Sequence, residues 1–364
     1  MIIIALPINT GYSFVIQAKA LATGFNQVGI EHHLLYVADP QELFDACKHH
    51  KAKAVLAIGN WPNYPLIIEP ALNAGCDVFP WLVSDEYSID QYVAEYNKLG
   101  ILLTPSEHCK KNFVRSGIKA DIIHVVPEAV DPEEWYPVGD KELESFLNFI
   151  SIPNPPNALR KTFDVSLLHK KGVPIIYTTG GDATKKGAQD VMRALALLDP
   201  KLEWIYMIKT WARPNIFEKS IEELNLAEEL GIFHRIRYIV GEYSQLFMRD
   251  IMNTCDIYAA PSRLEGFGLP HVEAQMCGKA VVSLEHTAPE ETIIHGETGF
   301  LCKNAGGPKD PHADINDLAH YLEKLITNPK LRTSMGKAAI EHARSKYSPT
   351  VVASAMVDLM QRPG

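Results

Sequence analysis

Short apolar runs alternate with stretches of helical period along the first third of the chain. Each run has the length of a strand and is bounded by polar or turn residues, which is the pattern of a buried strand. The first six candidate strands are Ile2–Pro7, His33–Val37, Ala54–Ile58, Val78–Val83, Gly100–Thr104 and Ile122–Val126. Most are separated by segments of helical period, such as Val15–Val28. Strands that alternate with helices predict a parallel, doubly wound α/β sheet.

The alternation starts again after a proline-rich region between Asp131 and Pro174, where the periodic pattern loosens. The second set of candidate strands is Ile175–Thr179, Leu202–Ile208, Ile236–Val240, Ile257–Ala260 and Ala280–Ser283. Helices are predicted at Ala188–Leu198, Phe217–Leu230, Tyr243–Thr254, Val272–Met276 and from Ile315 onward. The chain of 364 residues is long enough for two domains of about 150 residues each. We therefore expect two Rossmann-like lobes and, between them, a cleft that binds a ligand.

Composition and charge narrow the functional classes. Hydrophobic residues make up 46% and charged residues 22%, as in an ordinary soluble globular protein. A net charge of −9 argues against a protein that coats nucleic acid, because phosphate contacts need clustered Lys and Arg. The apolar run Met1–Leu6 lacks the basic region of a signal peptide, so we interpret it as a buried strand. No apolar run is long enough for a membrane span. These features predict a cytoplasmic protein, and peripheral contact with the inner face of a membrane stays compatible with them.

Cysteine, histidine and aspartate spacing gives no sign of a metal site. The six cysteines are scattered without a C-x-x-C pair, so we expect them to be reduced and mostly buried. The histidine pairs His32–His33 and His49–His50 have no third ligand at a suitable spacing. No D-x-D triplet occurs. We therefore expect that the protein needs no metal and no other cofactor.

The most informative stretch follows the candidate strand Ile257–Ala260 and leads into a helix. It reads PSRLEGFGLPHVEA over residues 261–274. In an open parallel sheet, this position is the crevice at the carboxyl ends of the strands, where ligands bind. Gly266 and Gly268 let backbone amides approach a ligand, and the helix beginning near Leu269 points the positive end of its dipole at the same place. A diphosphate would be held well there.

Two glutamates belong to this stretch. Glu273 lies about one turn into the helix, where its carboxylate can accept hydrogen bonds from a vicinal diol such as a ribose. Glu265 lies in the preceding loop, nearer to a reacting sugar. Taken singly, each glutamate is equally well explained as an acidic residue that favours a helix N-terminus. Only the whole string separates the two interpretations.

The whole string closely resembles the motif of retaining glycosyltransferase family 4, P-S-x-x-E-G-F-G-L-x-x-x-E-A. Glu265 and Glu273 take the positions of its two glutamates. The resemblance implies that the loop of Gly266, Phe267, Gly268 and Leu269 binds the nucleotide sugar. The resemblance implies a GT-B fold, with two Rossmann-like doubly wound domains facing a central cleft. The expected division is an acceptor domain at residues 1–135, an interdomain segment at 136–172, a nucleotide-sugar-binding domain at 173–345 and a C-terminal helix at 346–364 that returns to the first domain.

A second loop, GGDATKKG at residues 180–187, resembles the family's loop after the first strand of the C-terminal domain. That loop reads G-R, a few residues, then K-G. Lys186 takes the lysine position, where its charge can neutralise the donor phosphates while the bond to the leaving group breaks. Gly181 stands where the family has arginine. Lys185, Lys209 and Arg213 are candidates to replace it, although an exposed loop lysine is the simpler interpretation of Lys185.

The resemblance places the remaining site residues at the ends of other strands. Val240 begins a stretch whose backbone is expected to contact the nucleotide. Gly11 stands where the family has a Gly-rich loop near the donor phosphate, although an ordinary turn glycine is the simpler interpretation. The family's sugar-contacting histidine is replaced by Ser84 or Asp85, and Asp85 is either a ligand of a sugar hydroxyl or a plain helix cap. With Asp85, the predicted catalytic residues are Lys186 and Glu265.

The resemblance implies a retaining hexosyltransferase that uses a nucleotide-diphosphate sugar, with UDP-glucose as the favoured donor. The acceptor is expected to be a saccharide or a lipid-linked saccharide, in polysaccharide or glycoconjugate synthesis. No enzymic nucleophile is evident for the other face of the sugar, which favours a front-side mechanism. Two alternatives stay open. One is a nucleotide-sugar 2-epimerase of the same fold; the other is a non-catalytic nucleotide-sugar-binding protein, suggested by the missing arginine and histidine.

Overall fold

The computed structural model describes residues 1–85, 91–150, 165–181, 185–211, 214–307 and 310–361. The chain divides into two compact units. The first consists of Met1–Asp131 together with Ser345–Gly364, and the second of Pro132–Arg344. Each unit contains one six-stranded sheet in which all paired strands are parallel.

The sheet of the first unit has the strand order β2-β1-β3-β4-β5-β6. Its strands are β1 (Ile2–Pro7), β2 (His32–Val37), β3 (Ala54–Gly59), β4 (Asp77–Leu82), β5 (Leu102–Thr104) and β6 (Ile123–Val125). The helices between them are α1 (Tyr12–Gln27), α2 (Pro40–His50), α3 (Glu69–Asn73), α4 (Val93–Tyr96) and α5 (Glu107–Arg115). Short 3-10 turns at Trp61–Asn63 and Ala120–Ile122 and a π-helical turn at Tyr64–Ile68 complete the connections.

Both faces of this sheet are covered, which explains why β1 is apolar without alternation. Ile3 and Ala5 pack into the core on one face of the sheet, whereas Ile4 and Leu6 pack into the core on the other. A parallel strand buried on both faces needs apolar side chains at every position.

The second unit has the strand order β12-β11-β10-β7-β8-β9, the doubly wound arrangement of a Rossmann fold. Its strands are β7 (Ile175–Thr179), β8 (Ile205–Thr210), β9 (Ile236–Val240), β10 (Ile257–Ala259), β11 (Ala280–Leu284) and β12 (Gly299–Cys302). Its helices are α6 (Asp140–Ile150), α7 (Val165–Lys170), α8 (Ala188–Ala196), α9 (Pro214–Glu229), α10 (Gln245–Thr254), α11 (Leu269–Met276), α12 (Pro289–Thr292) and α13 (Ile315–Ile326), followed by α14 (Pro329–Tyr347).

The last helix, α15 (Pro349–Met360), packs against α1 in the first unit. Val352, Ala353 and Met356 enter the core on the α1 side of the first sheet. Gly24 of α1 allows the close approach, because a Cβ at this position would overlap the backbone of Pro349. Residues distant in sequence thus complete the core of the first unit.

The predicted α/β class, with two Rossmann-like doubly wound sheets, is confirmed. Strand β8 begins at Ile205 instead of Leu202, because its pairing partner β7 begins at Ile175 and the ladder starts at that pair. Several short elements escaped the sequence analysis. The strand β12 and the helix α12 have only four residues each, and α6 and α7 lie in the proline-rich region that we interpreted as irregular.

The predicted interdomain segment at residues 136–172 is described in part. Residues 136–150 and 165–172 belong to the second unit, where α6 packs on α10; residues 151–164 lie outside the described part of the chain. The rings of Phe146 and Phe247 meet edge to face between these two helices, with centroids 5.1 Å apart.

All six cysteine side chains are buried and none forms a disulfide, in agreement with the prediction. In the parts of the chain that the structure describes, no helix has the length and apolar character needed to cross a membrane.

Candidate functional site

The strand order of the second unit places a topological switch point between β7 and β10. These two central strands are hydrogen-bonded neighbours, and the chain leaves them toward opposite sides of the sheet. In open parallel sheets, ligands bind in the crevice that opens at the carboxyl ends of such strands. The loop after β7 carries Lys186, and the loop after β10 carries Glu265. Both belong to the predicted site.

Lys186 and Glu265 form an ion pair at this switch point. The Lys186 Nζ and Glu265 Oε1 atoms are 2.5 Å apart. The side chains are only 17% and 9% exposed, so the pair is largely withdrawn from water. A charged pair in such an environment is held firmly and interacts strongly with any charge that develops next to it.

The two loops are joined by close backbone packing. Gly187 has φ +75°, and a Cβ on it would approach the carbonyl oxygen of Pro261 to 2.5 Å. The Arg263 amide donates to the Lys185 carbonyl oxygen at 2.9 Å. Glycine at position 187 therefore lets the β7 loop touch the β10 loop. This contact positions the Lys186–Glu265 pair before any ligand binds.

Glu265 is ionised at neutral pH. Burial raises its pKa, but the charge of Lys186 and the hydrogen bond that Lys186 donates outweigh burial and leave the pKa below its usual value. His271 lies in the first turn of α11 and was not assigned a role from the sequence. Its Nε2 atom is 2.9 Å from the Ala260 carbonyl oxygen and 3.0 Å from Ser283 Oγ. Burial lowers the pKa of His271, so the ring is neutral and serves to hold the start of α11 against β10.

Helix α11 begins at Leu269 after a left-handed glycine. Gly268 has φ +92°, and a Cβ there would lie 2.8 Å from His271 Nδ1, so no other residue fits without strain. Gly266 and Phe267 are buried in the same loop. The structure thus places the whole Gly266–Leu269 stretch between Glu265 and the N-terminus of α11, where the sequence predicts the diphosphate.

Glu273 is buried on α11, and burial is the main reason why its pKa rises from 4.5 to about 8. The charge of Glu134 raises the pKa further, and Lys186 lowers it in part. The carboxyl group therefore carries a proton at neutral pH. Hydrogen bonds donated by a bound diol favour the ionised form and would expel that proton. Glu134 was not singled out from the sequence, because nothing local connects the two residues.

A carboxylate occupies the space next to Gly181, where the family has arginine. Gly181 has φ +58°, and a Cβ on it would lie 2.7 Å from Glu223 Oε1 of α9. Glu223 is buried and accepts a hydrogen bond from the Tyr238 hydroxyl at 2.6 Å. An arginine could not be built at position 181 without displacing Glu223 or straining the backbone.

The candidates for the missing arginine differ in their surroundings. Lys209 is buried at the end of β8, with its ammonium group 3.7 Å from the ring centroid of Trp211. Lys185 is exposed, as expected of an ordinary loop lysine, and its φ is +59°. Arg213 lies outside the described residues, as do Asp182, Ala183 and Thr184 of the β7 loop.

Val240 ends strand β9, and its carbonyl oxygen is already engaged. The Tyr243 hydroxyl donates to it at 2.9 Å. The Tyr243 ring stacks on Phe247 with centroids 4.1 Å apart and 14° between the planes. A nucleotide base at this stretch would therefore meet an ordered aromatic side chain as well as backbone groups.

Gly11 and Asp85 lie at the carboxyl edge of the first sheet. Gly11 is the exposed residue before α1 and has φ −62°, a conformation open to any residue, so the turn itself does not require glycine. Asp85 is exposed after β4. Its carbonyl oxygen lies 3.3 Å from Asn112 Nδ2 and 3.0 Å from His108 Nε2, both on α5. Their proposed roles toward a ligand stay predictions.

Among the residues that the structure describes, no group of three or more His, Cys, Asp or Glu side chains is arranged to hold a metal ion.

Solved structures of other proteins share the fold of this chain. The structure of Anabaena HepE in complex with UDP and glucose superposes with a TM-score of 0.71 at 16% identity, over 99% of each chain. The fold is therefore GT-B, as predicted. A sequence model of the family described as glycosyl transferases group 1 matches residues 160–342, half of the chain. The chain belongs to this family.

Curated relatives agree with this family assignment. The D-inositol 3-phosphate glycosyltransferase of Corynebacterium jeikeium is 30% identical over 66% of this chain and 51% of its own length. The alpha-maltose-1-phosphate synthase of Mycobacterium tuberculosis is 23% identical over 68% of this chain and 59% of its own length. The matched regions thus span between half and three fifths of these relatives.

Proposed function

We propose that this protein is a retaining hexosyltransferase that moves a hexose from a nucleotide-diphosphate sugar to a saccharide or lipid-linked saccharide. The observation that carries the proposal is the largely buried Lys186–Glu265 pair at the switch point between β7 and β10. A buried ammonium group next to an ionised carboxylate and a helix N-terminus supplies what a diphosphate leaving group and a sugar need.

In this proposal, the second unit binds the donor. Lys186 turns from Glu265 to the diphosphate, and the backbone amides of Gly266–Leu269 hold the same phosphates at the N-terminus of α11. Glu265 then accepts hydrogen bonds from hydroxyl groups of the sugar. Glu273 loses its proton and binds the ribose diol, while the Val240–Tyr243 stretch contacts the base.

The reaction exchanges one bond at the anomeric carbon for another on the same face of the sugar. The bond from C1 to the diphosphate oxygen breaks as the acceptor oxygen forms its bond to C1. The acceptor proton passes to the departing phosphate oxygen, so no enzymic nucleophile is needed. Lys186 stabilises the negative charge that grows on the leaving group, and this charge stabilisation requires no metal ion.

UDP-glucose is the first donor to test. The structurally similar HepE binds UDP together with glucose and also binds UDP-glucose, and the names of the curated relatives describe transfer to an inositol phosphate and synthesis of a maltose phosphate. These names support a sugar nucleotide as donor and a sugar or cyclitol as acceptor. We propose Gly11 and Asp85 as acceptor-side residues of the first unit.

The proposal is tested by thermal denaturation of the full chain with nucleoside diphosphates and their sugar conjugates. A ligand that binds the folded protein stabilises it by mass action, by about 2.7 kcal/mol at a concentration one hundred times its Kd. We expect UDP and a UDP-sugar to raise Tm in the wild type and to have a smaller effect in Glu273→Ala. The absence of a shift with every nucleotide would contradict the proposal.

Product analysis separates the alternatives. The wild type, given the donor alone, should slowly release free sugar and nucleoside diphosphate, because water replaces the acceptor. An epimerised nucleotide sugar would instead identify a 2-epimerase. Tight donor binding without any hydrolysis or transfer would identify a protein that only binds nucleotide sugars.

A further inference from the structure

The first sheet has its own topological switch point, between β1 and β3. The order β2-β1-β3 shows that the chain leaves β1 to one side and returns on the other. Pro7 and Gly59 end these two strands side by side, since a Cβ on Gly59 would lie 3.7 Å from the Pro7 Cδ atom. The loops that follow β1 and β3 thus leave the sheet from neighbouring points, where parallel sheets bind their ligands.

Large side chains are exposed to solvent in these two loops. Tyr12 is 63% exposed and Ile8 is 56% exposed after β1. After β3, Asn60 is exposed and Trp61 is half-buried. None of these four residues has a role in the donor chemistry proposed above. Large side chains exposed at the carboxyl ends of neighbouring parallel strands indicate a surface that a ligand can cover.

Trp61 is half-buried and is held in place by its backbone and by the core. The Tyr96 hydroxyl donates to the Trp61 carbonyl oxygen at 2.9 Å, and the ring packs on the core below. The Asn60 amide donates to Asn63 Oδ1 at 3.0 Å, which fixes the turn that carries Trp61. The indole N–H has no hydrogen-bond partner among the residues that the structure describes. An anchored ring with a free donor at its edge is organised before binding.

The charge of this edge distinguishes between kinds of acceptor. The segments 8–11, 60–63 and 83–85, which follow β1, β3 and β4, contain no Lys and no Arg, and Asp85 adds a negative charge. A phosphate group needs cationic side chains to replace its hydration, so this edge is unsuited to a phosphorylated acceptor. An uncharged pyranose ring fits: its C–H face packs on an aromatic ring, and its hydroxyl groups bind indole, amide and carboxylate groups.

We propose that Tyr12, Asn60 and Trp61 form a subsite for the terminal pyranose of an uncharged saccharide acceptor. The proposal rests on the transferase function above and specifies its acceptor class. Trp61 supplies a packing surface and a hydrogen-bond donor, Tyr12 covers the ring from the neighbouring loop, and Asn60 binds a hydroxyl group. The same ring can come from a free glycan or from the sugar of a lipid-linked acceptor.

Saturation-transfer NMR with the full chain and saturating UDP tests this subsite. The probes are the methyl glycosides of glucose, galactose, mannose and N-acetylglucosamine. We expect saturation transfer to the ring protons of at least one of them. Trp61→Ala should weaken that binding about tenfold, Tyr12→Ala about threefold to fivefold, and Trp61→Phe less than Trp61→Ala because the ring remains. Leu72→Ala, at an exposed residue of α3, is the matched control and should bind as the wild type does.

Two further probes test whether the acceptor is uncharged. An inositol phosphate and undecaprenyl phosphate in detergent micelles should not bind in competition with the methyl glycoside. Binding of either one that Trp61→Ala abolishes would overturn the assignment of an uncharged acceptor. Absence of binding by every methyl glycoside, or equal binding by the wild type and Trp61→Ala, would overturn the subsite itself.

The outcome for UDP separates this inference from the proposed function. If UDP raises Tm and is bound equally by Trp61→Ala and the wild type, the donor site is intact and the variants are folded. A negative saccharide result then rejects only the subsite. A protein that binds no nucleotide and hydrolyses no nucleotide sugar would reject the transferase itself.

Discussion

The carboxyl edges of the two sheets present opposite kinds of surface. In the second unit, the switch point holds buried ionisable groups: Lys186 paired with Glu265, and Glu273 protonated by burial. In the first unit, the corresponding edge exposes Tyr12 and Asn60 and has no cation in the loops after β1 and β3. Both edges come from the same α/β plan. Their difference reflects what each is proposed to bind.

A fixed charge suits the donor site, because the leaving group of a nucleotide-diphosphate sugar is always a diphosphate. The charge on a departing diphosphate is stabilised best by groups already fixed in a site of low polarity, because they need no reorganisation during the reaction. An exposed aromatic and amide surface suits an acceptor, since it binds through shape and hydroxyl groups. The following tests act on this contrast, beginning with the largest expected effect.

Removing the buried cation should affect turnover more than donor binding. Lys186→Ala should lower kcat about 100- to 1,000-fold, because the charge is needed most as the leaving group becomes negative. Steady-state kinetics of donor hydrolysis measures kcat and KM separately. Lys185→Ala, at the exposed neighbour, is the matched control and should retain wild-type kcat. A raised KM with unchanged kcat would show that Lys186 only binds the donor.

The stability of the same variants separates chemistry from folding. Lys186→Ala leaves the Glu265 carboxylate buried without its partner, a change that costs about 3 to 5 kcal/mol in comparable pairs. The double variant Lys186→Met, Glu265→Gln removes both charges, and we expect its Tm to recover while its turnover stays low. If the double variant recovered both its Tm and its turnover, the loss of turnover in Lys186→Ala would come from misfolding and not from the missing charge.

The second carboxyl group should control binding of the nucleotide itself. Glu273→Ala should weaken the affinity for UDP by about 1 to 3 kcal/mol, because charge-assisted hydrogen bonds to the ribose are lost. Calorimetry of the wild type in buffers of different ionisation enthalpy should also show release of a proton at pH 7, since the bound carboxyl must ionise. An unchanged Kd for UDP in the variant would contradict the ribose role.

The raised pKa of Glu273 has a measurable effect on the stability of the free protein. Folded Glu273 keeps its proton to about pH 8, whereas the unfolded chain loses it near pH 4.5. Between these values the folded state binds more protons, so this group's contribution to stability falls as the pH rises, by up to about 1.4 kcal/mol per pH unit. The Tm difference between Glu273→Gln and the wild type should therefore grow from pH 5 to pH 8. A constant difference would show that Glu273 is ionised throughout.

Chelation should have the smallest effect of all. We predict that donor hydrolysis and transfer continue in excess EDTA, because Lys186 and the start of α11 supply the charge that a metal would otherwise supply. As a control, Mg²⁺ or Mn²⁺ is added, and the activity should not rise. Loss of activity with EDTA and its return with either ion would reassign the roles of Lys186 and the Gly266–Leu269 loop.

The sequence alone predicted most of the strands, the doubled α/β plan and the loops to which we assign the chemistry. Apolar runs such as Ile2–Pro7 are local signals, because a strand buried on both faces needs an apolar residue at every position. The string at residues 261–274 was equally readable, since its glycines and glutamates are close together along the chain. The short strand β12 and helix α6 were missed because four residues, or a helix among prolines, give a weak periodic signal.

Only the tertiary structure decided which distant groups meet. Lys186 and Glu265 are 79 positions apart and become partners because β7 and β10 are neighbours in the sheet. Glu223 lies against Gly181, and Glu134 raises the pKa of Glu273, through contacts that periodicity does not encode. The sequence signals for helices and turns depend on residues that are close together along the chain. Burial, pKa and charge pairing depend on strand order, which brings together loops that the sequence keeps far apart.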